Sequence, residues 1–383
     1  MKKIIDHVLH LPDGCETSKF PASFASVLMR IEGVTSPEQV ERLRICGKIM
    51  PTDDCNLRND GSKEINSLSK YHEKIHNLYA VVSGISLMQL DLSEASHFEP
   101  WWGPNTNKLL EENDDYVKFT MGFAGYTYER FNKKTDKETI FNAIKRSIDA
   151  DRPVLINFGL YYDWFPVTGY DDETGRLYGY DSLQDSWDKY PAAEGYEDGL
   201  FYLSKWYEEM TEVIVITGKT EQSATYDDVF QRMIYILESM LENGYFKRSV
   251  DFLRNNVNFE NYDDKQYRQL AQRIEMFIGL PMDQRNVTKL CFNNLAQNKS
   301  LQDKWQYFKH ISSLYQNTLD ICWIAWRMVG AFGIAPIDEC AKALVSPIVR
   351  RAIADLIDIV RKNDESVLSC LRDMMDMMSP ENK

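Results

Sequence analysis

Residues 140–182 read IFNAIKRSIDADRPVLINFGLYYDWFPVTGYDDETGRLYGYDS, and this stretch decides the fold. Ile140, Ile144 and Ile148 recur at the spacing of one helix face, which predicts an amphipathic helix. Pro153 forbids the helix from continuing, since proline lacks an N–H group and its ring clashes with the preceding turn. A β-branched run follows directly, and it predicts a strand.

A short antiparallel sheet is predicted after this helix. Four runs of β-branched or aromatic residues are bounded by turn residues, at 154–158, 165–169, 176–180 and 213–217. The polar residues 171–175 between two of these runs indicate a hairpin loop. Ahead of the sheet, Thr135 is expected to cap the helix, with Glu138 three residues later as its partner in a capping box. The segment is therefore of the α+β class.

Two further helices are predicted nearer the N-terminus. Pro21 is typical of a first helical turn, and Gly33 is typical of the residue that follows a helix. Ser36 begins the second helix, which extends to about Met50. Helices followed by a sheet are the order expected for the first part of the chain.

The sequence changes character near residue 220, where mixed signals give way to helix alone. Apolar residues recur near the 3.6-residue period from Tyr226 to Met377. Short breaks between the helices are predicted at 243–244, 279–281, 330–336 and 363–364. We therefore predict an α+β domain over 1–217 and an all-α domain over 222–383, joined by a polar linker.

Charge and composition exclude several classes of protein. The chain has 44 lysines and arginines against 58 aspartates and glutamates, a net charge of −14. A broad nucleic-acid-binding surface is not expected, because phosphate neutralisation needs clustered basic residues. The seven cysteines are widely spaced without a CxxC pair. This spacing argues against a disulfide framework or a zinc site and favours a reducing cytoplasm.

No membrane partner is expected. The longest apolar stretch, 321–336, has 16 residues and contains Arg327, whereas a helical span needs about 20 apolar residues. Asp6 and His7 interrupt the apolar residues at the N-terminus, so no signal-peptide core is expected. The sequence predicts a cytoplasmic protein with no nucleic-acid partner, no metal and no cofactor.

The central motifs resemble those of papain-like cysteine enzymes. An RPV strand at 152–154, a YY pair at 161–162 and a strand ending in GYDD at 169–172 follow the order of the C39-like peptidases. The resemblance is closer to the butirosin-biosynthesis-protein-H N-terminal family, in which the next strand also ends in an aspartate, here Asp181. It covers about residues 10–217. It implies a papain-like domain with a short antiparallel sheet, a helical accessory domain, and peptide cleavage or acyl transfer from a carrier protein to an amine.

The resemblance also implies a set of catalytic residues. Family members have a cysteine at the start of the N-terminal helix, a histidine at the start of the GYDD strand, and an Asp or Asn at the end of the next strand. The helix lowers the thiol pKa, the imidazole accepts the proton, and the carboxylate orients the imidazole. In this chain Cys15 is the candidate nucleophile and Asp181 the orienting carboxylate. Counting back from Gly33 puts the family's cysteine near Lys19 or Phe20, so Cys15 requires a few extra residues before the helix.

The chain departs from the family at the histidine. Alignment on residues 167–170 puts Asp163 or Trp164 at that position, and the six histidines are at 7, 10, 72, 76, 97 and 310. Two candidates for the base follow: Asp163, whose carboxyl pKa would rise between aromatic neighbours, and His97. The aromatic residues expected to line a substrate cleft are Tyr161, Tyr162, Trp164, Trp101 and Trp102. Each candidate also has a structural interpretation, as an ordinary cysteine, a solvated carboxylate, a structural histidine or a core aromatic residue.

Three functions are compatible with these residues. The first is an acyltransferase or amide-forming enzyme of specialised-metabolite biosynthesis that acts through a cysteine thioester, with an acyl carrier protein or another thioester and a small-molecule amine as partners. An acidic carrier would need a local basic patch, for which Lys145-Arg146 and Arg350-Arg351 are candidates. The second is a catalytically degenerate homologue, a pseudoenzyme that binds a ligand or partner protein. The third is a C39-type cysteine peptidase.

Overall fold

Antiparallel strands form the centre of the first part of the chain in the computed structural model. In chain order the strands are β1 (Lys2–Ile4), β2 (Arg44–Ile45), β3 (Lys48–Ile49), β4 (Tyr126–Asn132), β5 (Val154–Asn157), β6 (Trp164–Asp171), β7 (Arg176–Gly179), β8 (Gly195–Glu197), β9 (Leu200–Leu203) and β10 (Glu212–Lys219). Among the described residues, β2 and β3 pair with each other, and the other strands form one sheet in the order β4-β10-β5-β6-β7-β9-β8. Strand β1 pairs with residues 169–171 of β6. The four strands predicted from the sequence are all present in this sheet.

The structure describes residues 1–9, 19–36, 39, 44–45, 48–49, 78, 81–82, 84–85, 116–158, 164–180, 194–242, 244–330 and 336–377. They belong to two compact units, drawn from Met1–Ser86 with Val117–Thr225, and from Leu87–Tyr116 with Tyr226–Lys383. The predicted mixture of helices and an antiparallel sheet, with a helical C-terminal part, is confirmed. The domain limits 1–217 and 222–383 stay a prediction.

Strand β6 has a glycine, Gly169, where strand β1 packs closely against it. A Cβ atom added at Gly169 would lie 2.8 Å from the backbone oxygen of Lys3 and 2.8 Å from the Ile4 side chain. Real Cβ atoms do not come this close to a backbone atom, so the pairing of β1 with β6 requires glycine at 169. The close approach of β1 therefore explains why the GYDD motif of this chain begins with glycine.

Gly169→Ala is expected to lower the free energy of unfolding of the first unit by about 1–3 kcal/mol, because the added methyl group overpacks against β1. Hydrogen exchange read by peptide mass spectrometry measures the loss of protection in β1. Gly218→Ala on β10 is the matched control, because its Cβ would meet only the Thr127 hydroxyl, at 3.3 Å. Equal protection of β1 in the two variants would contradict the tight fit.

Pro166 occupies the middle of β6, a position where proline is unusual. Its carbonyl oxygen accepts a hydrogen bond from the Tyr180 N–H group at 3.1 Å, one residue beyond the end of β7. In an antiparallel strand the N–H and C=O groups of one residue point to the same side. The missing N–H of Pro166 therefore faces the end of β7, and no hydrogen bond to β5 is lost.

Two helices pack on opposite faces of the sheet. The helices with described bounds are α1 (Lys19–Ile31), α2 (Tyr116–Ala124), α3 (Lys137–Asp149) and α4 (Trp206–Glu209), and the described residues 78, 81–82 and 84–85 are helical as well. The buried isoleucines of α3 form one cluster with Ile156, Phe165 and Val213 of the sheet. Trp164, the next residue to Phe165, contacts α1 through Phe20. Successive strand residues face opposite sides, so α1 and α3 cover different faces.

Two local predictions for this unit are wrong. Asp136, rather than Thr135, caps α3, and its carboxylate accepts a hydrogen bond from the Thr139 N–H group at 2.9 Å. Hydrogen bonds from the Thr139 hydroxyl and N–H groups lower the pKa of Asp136. The helix expected from Ser36 to about Met50 is replaced at its end by the β2–β3 pairing. Isoleucines and a nearby glycine at this point are poor helix formers, which explains the difference.

The described residues of the second unit from Tyr226 onward lie mainly in helices. They are α5 (Tyr226–Glu242), α6 (Tyr245–Asn255), α7 (Asp264–Gln297), α8 (Trp305–Val329), α9 (Ile337–Val345) and α10 (Pro347–Asp376), with short 3₁₀ segments at Val257–Asn261 and Lys299–Lys304. The breaks predicted at 243–244 and 330–336 are confirmed. Those predicted at 279–281 and 363–364 are wrong, because these residues continue α7 and α10. Within the described residues, no helix has both the length and the apolar composition needed to cross a membrane.

A buried ion pair joins two of these long helices. Arg285 on α7 donates to both carboxylate oxygens of Asp364 on α10, at 3.1 and 2.8 Å. Neither side chain is exposed to solvent. The next residue, Asn363, donates to the hydroxyl of Thr318 on α8 at 3.0 Å. Polar contacts between helices therefore occupy the region where the sequence predicts a break.

Candidate functional site

Most of the predicted site residues lie outside the described residues. They are Cys15, His97, Trp101, Trp102, Tyr161, Tyr162, Asp163 and Asp181. Trp164 is described, and 2% of it is exposed. Its role in substrate binding stays a prediction. The description of the site therefore begins with Trp164. It also uses the described residues closest in sequence to the candidates, which are the first turns of α1 after Cys15 and Tyr180 before Asp181.

The first turns of α1 are fixed to the first residue of β6. The Ser23 hydroxyl donates a buried hydrogen bond to the backbone oxygen of Trp164, with an O···O distance of 2.5 Å. The rings of Phe20 and Trp164 meet edge to face, with centroids 5.4 Å apart. We call Phe20, Ser23 and Trp164 the helix–strand junction. Trp164 directly follows Asp163 in the sequence. The junction therefore contains the described residue that is closest to Asp163 along the chain.

The end of β7 lies beside the same part of β6. Gly179 pairs with Val167, and a Cβ atom at Gly179 would lie 2.6 Å from the backbone oxygen of Pro166. Tyr180 donates its N–H group to that same oxygen. Burial, and then the nearby Asp6 carboxylate, raise the pKa of the Tyr180 phenol. The residue before Asp181 is therefore held two residues along from Trp164.

The electrostatics of α1 favour an anion at its first turn. Unpaired backbone N–H groups give a helix N-terminus a partial positive charge, which stabilises a thiolate within the first turn. The first turn of α1 contains no acidic residue. No carboxylate of its own first turn therefore neutralises this partial charge.

Sequence reasoning missed two buried polar residues near the junction. Asn157 pairs with Trp164 across β5 and β6, and its side-chain oxygen accepts from the Thr211 hydroxyl at 2.8 Å. Ser23 is the other. Asn157 has a sequence signal, since it is the polar end of the otherwise apolar strand VLIN. Ser23 has none, because serine is mostly exposed in proteins and its partner is 141 residues away.

The described cysteines lie in the helical unit and are buried. They are Cys291, Cys322, Cys340 and Cys370. Burial raises the pKa of the Cys291 thiol to about 12, and burial together with Asp373 raises that of Cys370 to about 11. These two thiols are protonated at neutral pH and are poor nucleophiles. Among the described residues, no group of three or more Cys, His, Asp or Glu side chains is arranged to hold a metal ion.

Comparison with protein families, with curated proteins and with solved structures finds no match to this chain. The candidate site therefore depends on its own residues and geometry.

Proposed function

We propose that the first unit is a papain-like domain that transfers an acyl group, or forms an amide, through a thioester on Cys15. The observation that carries the proposal is the meeting of three segments at one end of β6. These are the first turns of α1, the first residue of β6 and the residue that follows β7. In the family that the sequence resembles, the same three segments carry the cysteine, the base and the orienting carboxylate.

The proposed reaction has two steps. The Cys15 thiolate attacks the carbonyl carbon of an acyl thioester, the carbon–sulfur bond to the carrier breaks, and the carrier leaves as a thiol after taking up a proton. An amine then attacks the new thioester, an amide bond forms, and Cys15 is released. Asp163 or His97 would accept the proton from the thiol and later from the amine.

The proposed partners are an acyl carrier protein or another thioester, and a small-molecule amine in the cytoplasm. The two candidate basic patches are Lys145-Arg146 and Arg350-Arg351, and one arginine of each pair is exposed. Arg350 is buried, and it donates to the backbone oxygens of Leu344 and Val345 at 2.6 and 2.8 Å. Arg146 is exposed on α3, while the neighbouring Lys145 is paired with Asp172. Arg146 and Arg351 are therefore the arginines to substitute in a docking test.

The second candidate function is a pseudoenzyme that binds a ligand or partner protein. The observation in its favour is Asp163, which replaces the histidine at the start of β6. A carboxylate of ordinary pKa is a weak base for a thiol, so the thioester chemistry requires that Asp163 be perturbed or that another residue act. The same replacement weighs most heavily against a C39-type peptidase, which must also protonate a poor leaving group.

Residue-resolved alkylation with iodoacetamide between pH 5 and 9 tests the proposal. Cys15 is expected to react selectively, with an apparent pKa well below the value of about 8.5 for a free cysteine. An acyl thioester of N-acetylcysteamine is expected to leave one acyl group on the protein, and none on Cys15→Ala. If His97 is the base, His97→Ala is expected to raise the apparent pKa of Cys15. If Asp163 is the base, Asp163→Asn is expected to slow acyl transfer without raising that pKa, because a nearby carboxylate raises a thiol pKa rather than lowering it.

Cys291 and Cys370 are internal controls, because both are buried and their thiol pKa values are raised to about 12 and about 11. They are expected to stay unlabelled in the folded protein. If Cys15 reacts no faster than a free cysteine and takes up no acyl group, the thioester mechanism is wrong and the binding function is preferred.

A further inference from the structure

Helix α8 has two large apolar side chains next to each other on its exposed side. Trp323 is 45% exposed and Ile324 is 49% exposed, although most apolar residues of this helix are buried. The Trp323 ring meets the ring of the buried Trp326 edge to face, with centroids 5.2 Å apart. The exposed indole therefore packs against a fixed neighbour. Adjacent exposed apolar side chains are more typical of an interaction site than isolated ones are.

Two opposite charges lie on either side of this apolar pair. Asp320 precedes the pair by three residues and Arg327 follows it by three, and both are exposed. Residues three, four and seven apart lie on one side of a helix, so all four residues share a face. Asp320 accepts a hydrogen bond from the neutral side-chain amide of Gln316 at 3.0 Å. Within the part of the chain that the structure describes, Arg327 has no hydrogen bond or ion pair. We call Asp320, Trp323, Ile324 and Arg327 the α8 face.

We infer that the α8 face binds the same face of a second copy of this chain, with the two α8 helices antiparallel about a two-fold axis. Tryptophan and arginine are enriched at the centres of protein–protein interfaces, where they contribute most of the binding energy. The inference concerns the helical unit and does not depend on the proposed function.

The order of the four residues makes the α8 face complementary to itself. A two-fold axis midway between Trp323 and Ile324 reverses the direction of the second helix. Asp320 of each copy then lies opposite Arg327 of the other, at either end of a span of about 10 Å, and the apolar pairs meet at its centre. In a parallel pairing in register Asp320 would face Asp320, and like charges disfavour such a contact. The charge order therefore selects the antiparallel arrangement.

The attraction between two copies has to be local. The net charge of −14 on each chain opposes association, whereas the opposed Asp320 and Arg327 side chains attract at short range. A contact made by one helix face is smaller than a standard interface of about 1,600 Å². The dimer is therefore expected to be weak and to dissociate on dilution.

Sedimentation velocity of the full chain between about 1 and 100 µM tests the inference, and the dimer fraction is expected to rise across this range. Asp320→Lys and Arg327→Glu are each expected to raise the dissociation constant at least about tenfold, because two like-charge contacts replace two attractive ones. Mixed together, the two variant chains are expected to dimerise with each other. The two substituted residues then lie opposite each other with opposite charges, and so do the two unsubstituted ones.

A separate variant tests the apolar centre. Trp323→Ala is expected to raise the dissociation constant at least about tenfold. Trp305→Ala is the matched control, because Trp305 is 42% exposed on the same helix but five turns away from Trp323. Its dissociation constant is expected to equal that of the unsubstituted chain. Circular dichroism checks that each variant keeps its helices, and if Trp323→Ala does not fold, the two charge variants and their mixture decide the test.

The outcomes separate this contact from other modes of association. A dimer that is lost in each charge variant and recovered in their mixture supports the inference. A chain that stays monomeric over the whole concentration range overturns it. A dimer that Asp320→Lys and Arg327→Glu leave unchanged also overturns it, since the two copies would then meet through another surface. Variants that are monomeric both alone and mixed overturn the antiparallel pairing.

Discussion

Asp364→Ala is expected to lower the free energy of unfolding of the helical unit by about 3–5 kcal/mol. The substitution leaves the Arg285 guanidinium without its carboxylate in a place that solvent does not reach. Burial lowers the pKa of Arg285, but neighbouring groups, led by the Asp364 charge, together raise it by more, so the guanidinium stays charged in the intact protein. Hydrogen exchange in peptides of α7 and α10 measures the loss for this unit separately.

Two controls show whether burial is the cause. Glu238 pairs with Arg372 on the surface of the same unit at 2.6 Å, and Glu238→Ala is expected to lower the free energy of unfolding by less than about 1 kcal/mol. The double variant Arg285→Met/Asp364→Leu removes both charges, and its stability is expected to return close to that of the unsubstituted chain. A loss for Asp364→Ala no larger than that for Glu238→Ala would contradict the buried pair.

Trp164→Ala is expected to lower the free energy of unfolding of the first unit by about 3–5 kcal/mol, the usual range for a large aromatic residue removed from a core. The indole is 2% exposed and lies against Phe20. The result bears on the function of Trp164 as well. If Trp164 only lined a substrate cleft, its truncation would lower the free energy of unfolding little, because its ring would have few protein neighbours.

Trp305→Ala is the matched control, since Trp305 is 42% exposed on α8. It is expected to lower the free energy of unfolding of its own unit by well under half as much. Both variants are measured by hydrogen exchange, which reports on each unit separately. A small loss for Trp164→Ala would favour the cleft interpretation over the core one.

Local sequence patterns predicted the fold correctly where the structure depends on neighbouring residues. The strands after Pro153 and the hairpin loop were found from β-branched runs and turn residues alone. The predicted breaks at 279–281 and 363–364 are wrong, and at 363–364 the reason is that tertiary contacts override a weak local propensity. Asp364 is held by Arg285 and Asn363 by Thr318. These are long-range contacts, which a reading of neighbouring residues cannot detect.

The candidate site was predicted less completely. The resemblance supplied Cys15, Asp163 and Asp181 from motifs, and these residues lie outside those that the structure describes. Among the described residues, Ser23 bonds to Trp164, which is 141 residues away, and this contact has no local signature in the sequence. A motif gives the identities of reacting groups, whereas the contacts that fix them come from residues that are distant in sequence.

The pairing of β1 with β6 has a consequence for the order of folding during synthesis. Residues Lys2–Ile4 leave the ribosome long before their partners, residues 169–171. At about 5–20 residues per second, the early segment waits roughly ten to thirty seconds for its partner strand. During that interval its backbone edge is open to other nascent chains and to chaperones. Strand β1 therefore cannot pair until residues 169–171 have been made, and slower elongation lengthens its exposure.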